Sequence, residues 1–360
     1  MVCSHHVLVF CSLFWHMRTA LAHVFQIDPR QGGELGTAPI PFDGLGDGKQ
    51  KYDYLSSLLA DSRTRGRVID TKMHGIKHPV DILSLTTDPN VLYISQFMDN
   101  QVSVLHRNGS LNIFAKGVYC KTPRPCALLD GPWGLAQLGN ELFVASFSTD
   151  QILVFDINTG EYLTVFGNEE ELNSPEGLVI GSDGLMYVSS HLNNEIVVYN
   201  PATKIKLGVA VKAGTLSGPE GLTFMNPNLL AVTSHWSSSI FVYHCKTGEL
   251  LREWNLSPDT GPVGIIADDD EHVLVSLQGD SNKIVRLNIN TGQRNIFAES
   301  PKRLLGPSGM AWIGKEWWHD YGKSLVVASY NTNALLVFNI SGVVDEHGAT
   351  RQAELVAALT

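Results

Sequence analysis

The sequence predicts an all-β fold, a six-bladed β-propeller of four-stranded antiparallel blades, on three observations. A short segment opening on Pro and running into an apolar strand recurs six times. The copies are HPVDIL from His78, GPWGLA from Gly131, SPEGLV from Ser174, GPEGLT from Gly218, GPVGII from Gly261 and GPSGMA from Gly306. Their starts lie 53, 43, 44, 43 and 45 residues apart, the length of a four-stranded blade. Between them, β-branched and aromatic runs alternate with Gly, Asn and Asp turns, and no long amphipathic helix intervenes. A lone four-stranded sheet cannot cover both faces, whereas sheets stacked in a closed ring cover one another.

In chain order, residues 1–22 read as a cleaved signal peptide. An apolar run, Val7 to Trp15, precedes Ala20-Leu21-Ala22, a small-x-small cleavage pattern. The run is too short to span a bilayer, and no Lys or Arg precedes it, against the usual pattern. Residues 23–65 are an irregular extension, rich in Gly and Pro, with a short helix at Tyr52–Ala60. Residues 66–360 form the propeller. In the third unit the predicted strands are Gly177–Ile180, Leu185–Ser190, Glu195–Tyr199 and Lys204–Val211. Elsewhere NTG (Asn158–Gly160, Asn290–Gly292) and KTG (Lys246–Gly248) join strands three and four, with Gly supplying the positive φ. The ring closes either with Arg351–Leu359 as the last fourth strand or with Gly66–Thr71 as an outer strand there.

Hydrophobic residues make up 44% and charged residues 17%, an ordinary globular mix. A net charge of −10 without a Lys/Arg run leaves no footprint for nucleic acid or an anionic membrane. The expected partners are a small-molecule substrate or an extracellular protein or glycan, and the expected state is a monomer. Cys3 and Cys11 leave with the leader, Cys120 and Cys126 are spaced to close a small disulfide ring, and Cys245 is left over. Sequons stand at Asn108, Asn255 and Asn339. With the leader, they point to secretion.

TLSGPEGL (Thr215–Leu222) and LMYVSSH (Leu185–His191) resemble the NHL-type family of propellers, over roughly residues 78–340. The resemblance implies the fold and says little of activity. Among related enzymes, gluconolactonases place a Glu at the start of an inner strand, as Glu176 and Glu220 stand here. Their other ligands have no convincing match. Amidating lyases carry zinc-binding His where this chain has Val80, Trp133, Glu176, Glu220, Val263 and Ser308, so that triad is absent. Streptogramin lyases use a similar blade, without a clear match to their catalytic segment.

The family geometry further implies that the residue after the Pro and the residue ending strand two meet at one mouth of the channel. That pairs Val80 with Phe97, Trp133 with Phe147, Glu176 with His191, Glu220 with His235, Val263 with Gln278, and Ser308 with Tyr330. Each His follows its Glu by 15 residues. The candidate ligand-binding residues are Trp133, Phe147, Glu176, His191, Glu220, His235, Gln278 and Tyr330, with core or channel packing the competing and favoured reading for Trp133 and Phe147. Of these, Glu176, His191, Glu220 and His235 can hold one divalent ion, Ca, Zn or Mn. They can equally work as a metal-free acid/base set, or be copies of a blade motif with a purely structural role. His78 stands at the first link, where a structural role is expected. Trp317 and Trp318, in the insert GKEWWHDYG, face away from the mouth, for a partner contact or folded back onto the blade. There is no G-x-S-x-G, Walker, HExxH or CxxC motif. The expected function is an exported, metal-dependent hydrolase or lyase acting on a small organic substrate. The rival is a non-enzymatic extracellular propeller that binds protein or glycan.

Overall fold

The computed structural model describes residues 69–71, 75–85, 87–120, 126–279, 281–314, 317, 323–339 and 354–359. At 69–71, 119, 120, 126 and 354–359 it describes the backbone alone. The predicted leader, the extension with its helix, and Trp318 lie outside these residues.

Six antiparallel sheets follow one another along the chain. Their innermost strands are Pro79–Ser84, Pro132–Leu138, Pro175–Ile180, Pro219–Asn226, Pro262–Ala267 and Pro307–Ile313. Each begins on the repeat's Pro, at a strand's first residue, where the lack of a donor does least harm to the ladder. The third blade comprises Pro175–Ile180, Met186–Ser190, Glu195–Asn200 and Ile205–Val211, within two residues of the prediction. Innermost strands of consecutive blades touch all the way round, the last against the first, so the ring is closed. One apolar core fills each of the six seams.

The rim is clamped from blade to blade by short polar side chains. Asn100 Oδ1 accepts from the Gly131 N–H at 2.9 Å, Asp150 from Ser174 at 2.7 Å and Asn194 from Gly218 at 2.7 Å. Asn282 accepts from Gly306 at 2.7 Å, and Asn333 from His78 at 2.8 Å. The last of these carries blade six back to blade one. All five clamps have φ between 41° and 58°, a region Asn and Asp enter more readily than other side-chain-bearing residues.

Both chain ends close the last blade. Glu354–Leu359 pairs antiparallel with Ala334–Asn339, and Ile69–Thr71 runs parallel outside it. The first blade also gains a fifth strand. Leu111–Cys120 pairs antiparallel with Cys126–Leu129, with Cys120 opposite Cys126 in the register. The side chains of those two cysteines, on which the predicted disulfide rests, lie outside the description. Cys245 is a buried free thiol.

Trp317 folds back, its indole N–H donating to the Pro89 carbonyl at 2.6 Å. Asn108 and Asn255 are exposed, while Asn339 is buried, a poor place for a glycan. Among the described residues, no helix is long and apolar enough to cross a membrane.

Candidate functional site

One backbone hydrogen bond recurs in all six blades and brings the predicted pairs to one rim. The residue after strand two donates its N–H to the carbonyl of the residue that opens the Pro link. The bonds are Phe97 to His78, Phe147 to Gly131, His191 to Ser174, His235 to Gly218, Gln278 to Gly261 and Tyr330 to Gly306, at 2.8–3.2 Å.

In blades three and four this register sets each imidazole against its carboxylate. His191 Nδ1 lies 3.2 Å from Glu176 Oε1, and His235 Nδ1 lies 3.0 Å from Glu220 Oε1. Glu176 is 2% exposed, Glu220 5% and His191 7%; His235 is more open. One ligand atom from each of Glu176, His191 and Glu220 falls within 4.8 Å of the others. His235 stands beside this trio through its contact with Glu220. The second oxygens, Glu176 Oε2 and Glu220 Oε2, are buried without a hydrogen-bond partner among the described residues. A buried carboxylate oxygen left unpaired is costly unless a cation or a donor meets it.

Burial, and then the neighbouring Glu220 carboxylate, push the Glu176 carboxyl up to about 7, and the two imidazoles pull the other way. For His191, burial opposes the charged form, but the Glu176 and Glu220 carboxylates outweigh it and hold the imidazole at about 9. His235 is also raised, Glu220 overcoming burial. Two carboxylates and two imidazoles thus face one another in a largely buried recess. Such an arrangement can transfer a proton, or can give up protons to solvent when a metal ion takes their place.

Supporting groups absent from the sequence prediction hold the cluster in place. Ser189 Oγ accepts from the Gly177 N–H at 2.7 Å and donates to the Glu220 carbonyl at 2.7 Å, tying blade three to blade four at the acidic position. Thr233 repeats the bridge from Gly221 to Val263. The signal was the hydroxyl residue inside YVSS and AVTS. Trp236, 44% exposed, lies with its ring 4.6 Å from that of His191 at an 80° angle.

Elsewhere the rim is apolar or structural. Trp133 and Phe147 stack at 5.7 Å, with Phe97 edge-on beside both. Tyr330 meets the His78 ring at 5.1 Å, so His78 belongs to the seam between blades six and one rather than to the acidic cluster. Gln278 occupies the equivalent rim position of blade five. The central channel has a volume of about 420 Å³ and is bordered by the inner strands, Glu220 and Trp133 included.

Asp81 also borders this channel. It stands where the other five links have Gly, and its Oδ2 accepts from the Leu135 N–H at 2.9 Å. Burial lifts its carboxyl to about 7, against the pull of the Leu135 and Ile82 N–H groups. The fold therefore disfavours the ionised form, and the penalty appears as pH rises from about 4 through 7. Discounting for its partial contact with channel water, Asp81→Asn is expected to gain about 2 kcal/mol on the parent between pH 5 and 8. Urea melts at the two pH values measure this; parallel pH dependence in parent and variant contradicts it.

No protein-family model matches the chain, and no curated protein matches it in sequence. Solved structures do. A catalytically inactive variant of virginiamycin B lyase from Staphylococcus aureus, with quinupristin, is 17% identical at a TM-score of 0.55, over 79% of this chain and 85% of that one. Hydrazine synthase from Kuenenia stuttgartiensis is 16% identical at 0.55, over 80% and 88%. A chain of the nidogen/laminin complex is 19% identical at 0.53, over 75% and 97%. At these identities the likeness is one of fold.

Proposed function

We propose that Glu176, His191 and Glu220 hold one divalent cation, and that the protein is an exported metal-dependent hydrolase or lyase acting on a small organic substrate at the channel mouth. The observation that carries this is the pair of buried, unpartnered carboxylate oxygens beside an imidazole, with ligand atoms of all three residues within 4.8 Å. An ion there answers both oxygens at once. Carboxylate and imidazole together suit zinc or manganese, and the carboxylates alone suit calcium. His235, on Glu220, would complete the set or fix the carboxylate's orientation. A bound ion supplies a Lewis acid for a carbonyl oxygen. The similarly folded virginiamycin B lyases support the reading that such a ring can host lyase chemistry.

The second reading is a propeller that binds an extracellular protein or glycan through its loops. The similar chain in the nidogen/laminin complex favours it. Surface recognition gives no reason for two carboxylates buried side by side. Elemental analysis of the purified protein separates the two readings. One zinc, manganese or calcium per chain is expected, together with metal-dependent turnover in a panel of lactones, esters and cyclic peptides. A metal-free protein whose thermal stability is unchanged by chelator favours the binding propeller.

A further inference from the structure

The rim is divided into two chemically different halves, and the division points to a ligand. In blade two, Trp133 fills the position that Glu176 and Glu220 fill in blades three and four. Phe97 and Phe147, on blades one and two, fill the position of His191 and His235. The exchange from aromatic to acid and imidazole falls between two adjacent inner strands. Those strands abut so closely that a Cβ on Gly134 would sit 2.1 Å from the Glu176 carbonyl oxygen. Trp133 and Glu176 are thus next-door neighbours at one level of the mouth.

The three aromatic rings form one wall. Trp133 stacks on Phe147 at 5.7 Å and 29°, and Phe97 stands edge-on to both, at 5.2 and 5.6 Å. All three side chains are half-buried rather than sealed in the core, and Trp133 borders the channel. Gly131 packs its backbone against Phe97, where an added Cβ would lie 2.8 Å from the ring, which holds the wall in place. A partly open aromatic wall rewards a flat ring by stacking and edge contacts. The unpartnered carboxylate oxygens on the next two blades call for a cation and, through that cation, for an oxygen donor on the ligand.

We propose that the ligand is an aromatic acyl compound. Its flat ring lies against Trp133, Phe147 and Phe97, and its carbonyl oxygen, a few bonds away, reaches the ion at Glu176, His191 and Glu220. This rests on the metal reading above and adds the class of ligand to it.

Hydroxamates test it, because they chelate divalent ions and can be had with or without a ring. Acetohydroxamate is compared with benzo-, phenylaceto- and 3-phenylpropionohydroxamate on the manganese- or zinc-loaded protein, by calorimetry. At least one aromatic member is expected to bind about 10-fold more tightly than acetohydroxamate, which corresponds to roughly 1.4 kcal/mol. Trp133→Leu and, separately, Phe147→Leu are expected to bring the ratio towards one in protein whose melting curve remains cooperative. Equal affinity across the series, or a preference that survives both substitutions, overturns the aromatic wall while leaving the ion in place. If the protein takes up no stoichiometric ion, the metal reading falls and this proposal with it; if the ion is bound and no hydroxamate binds, the ligand assignment alone falls. If benzyltrimethylammonium binds more tightly than any of the four, the site takes an organic cation and the acyl assignment is wrong.

Discussion

Gly177→Ala is expected to lower stability by about 3 kcal/mol or more and to loosen the proposed site together with the fold. A Cβ at Gly177 would stand 2.3 Å from the Glu220 carbonyl oxygen and 3.3 Å from Ser189 Oγ. Neither is the free end of a flexible side chain. The backbone of blade four must retreat, and with it the bridge from Ser189 to Glu220. The melting temperature should fall by roughly 6–12 °C. Gly184→Ala makes a fair control, because nothing lies within 4 Å of its Cβ. It carries strain from its φ of 75°, about 1 kcal/mol, and leaves the seam alone. If the two variants melt together, close approach at the seam is not what Gly177 provides.

Glu176→Gln carries the second large effect, this time on ion binding. A ligand saturated to about 100 times its Kd stabilises a fold by about 2.7 kcal/mol, so added metal should raise the parent's melting temperature by roughly 5–10 °C. The Gln variant keeps the side chain's shape but loses the charge that meets the ion. Its affinity should drop by more than the ~10–100-fold that loss of a supporting partner costs, and the metal-induced shift should vanish. Without metal the variant sheds the unpartnered oxygen but also the ion pair with His191, so the comparison is read on the metal-induced shift within each protein. An undiminished metal-induced shift in Glu176→Gln removes that residue from the ligand set.

The ring was legible because its parts are local and repeated. Six Pro links, the Asn and Gly turns and the apolar runs between them each specify a strand or a hairpin without long-range information. Glu176 with His191 and Glu220 with His235 were legible through the repeat's shared spacing together with the blade geometry that the family resemblance implies. What escaped were contacts between blades and departures from the repeat. Ser189 and Thr233 act on the next blade, so the hydroxyl in YVSS and AVTS marks the position without showing the carbonyl it ties. Asp81 is the one link residue that is not Gly, and its carboxyl reaches across to Leu135, a contact with no trace in the repeat. The closing strands, Ile69–Thr71 and Glu354–Leu359, lie some 280 residues apart and lack the link motif. Their joint use therefore showed only once the last blade was assembled. The split of the rim into aromatic and acidic halves was visible residue by residue. Its continuity depends on the closeness of Gly134 to Glu176.

The most direct measurement is an anomalous difference map from crystals grown with manganese. A single strong peak about 2.0–2.4 Å from the carboxylate oxygens of Glu176 and Glu220 and from a ring nitrogen of His191 is the result these distances predict. A featureless map at that position, with both carboxylates hydrogen-bonded to water or to a neighbouring side chain, contradicts the assignment.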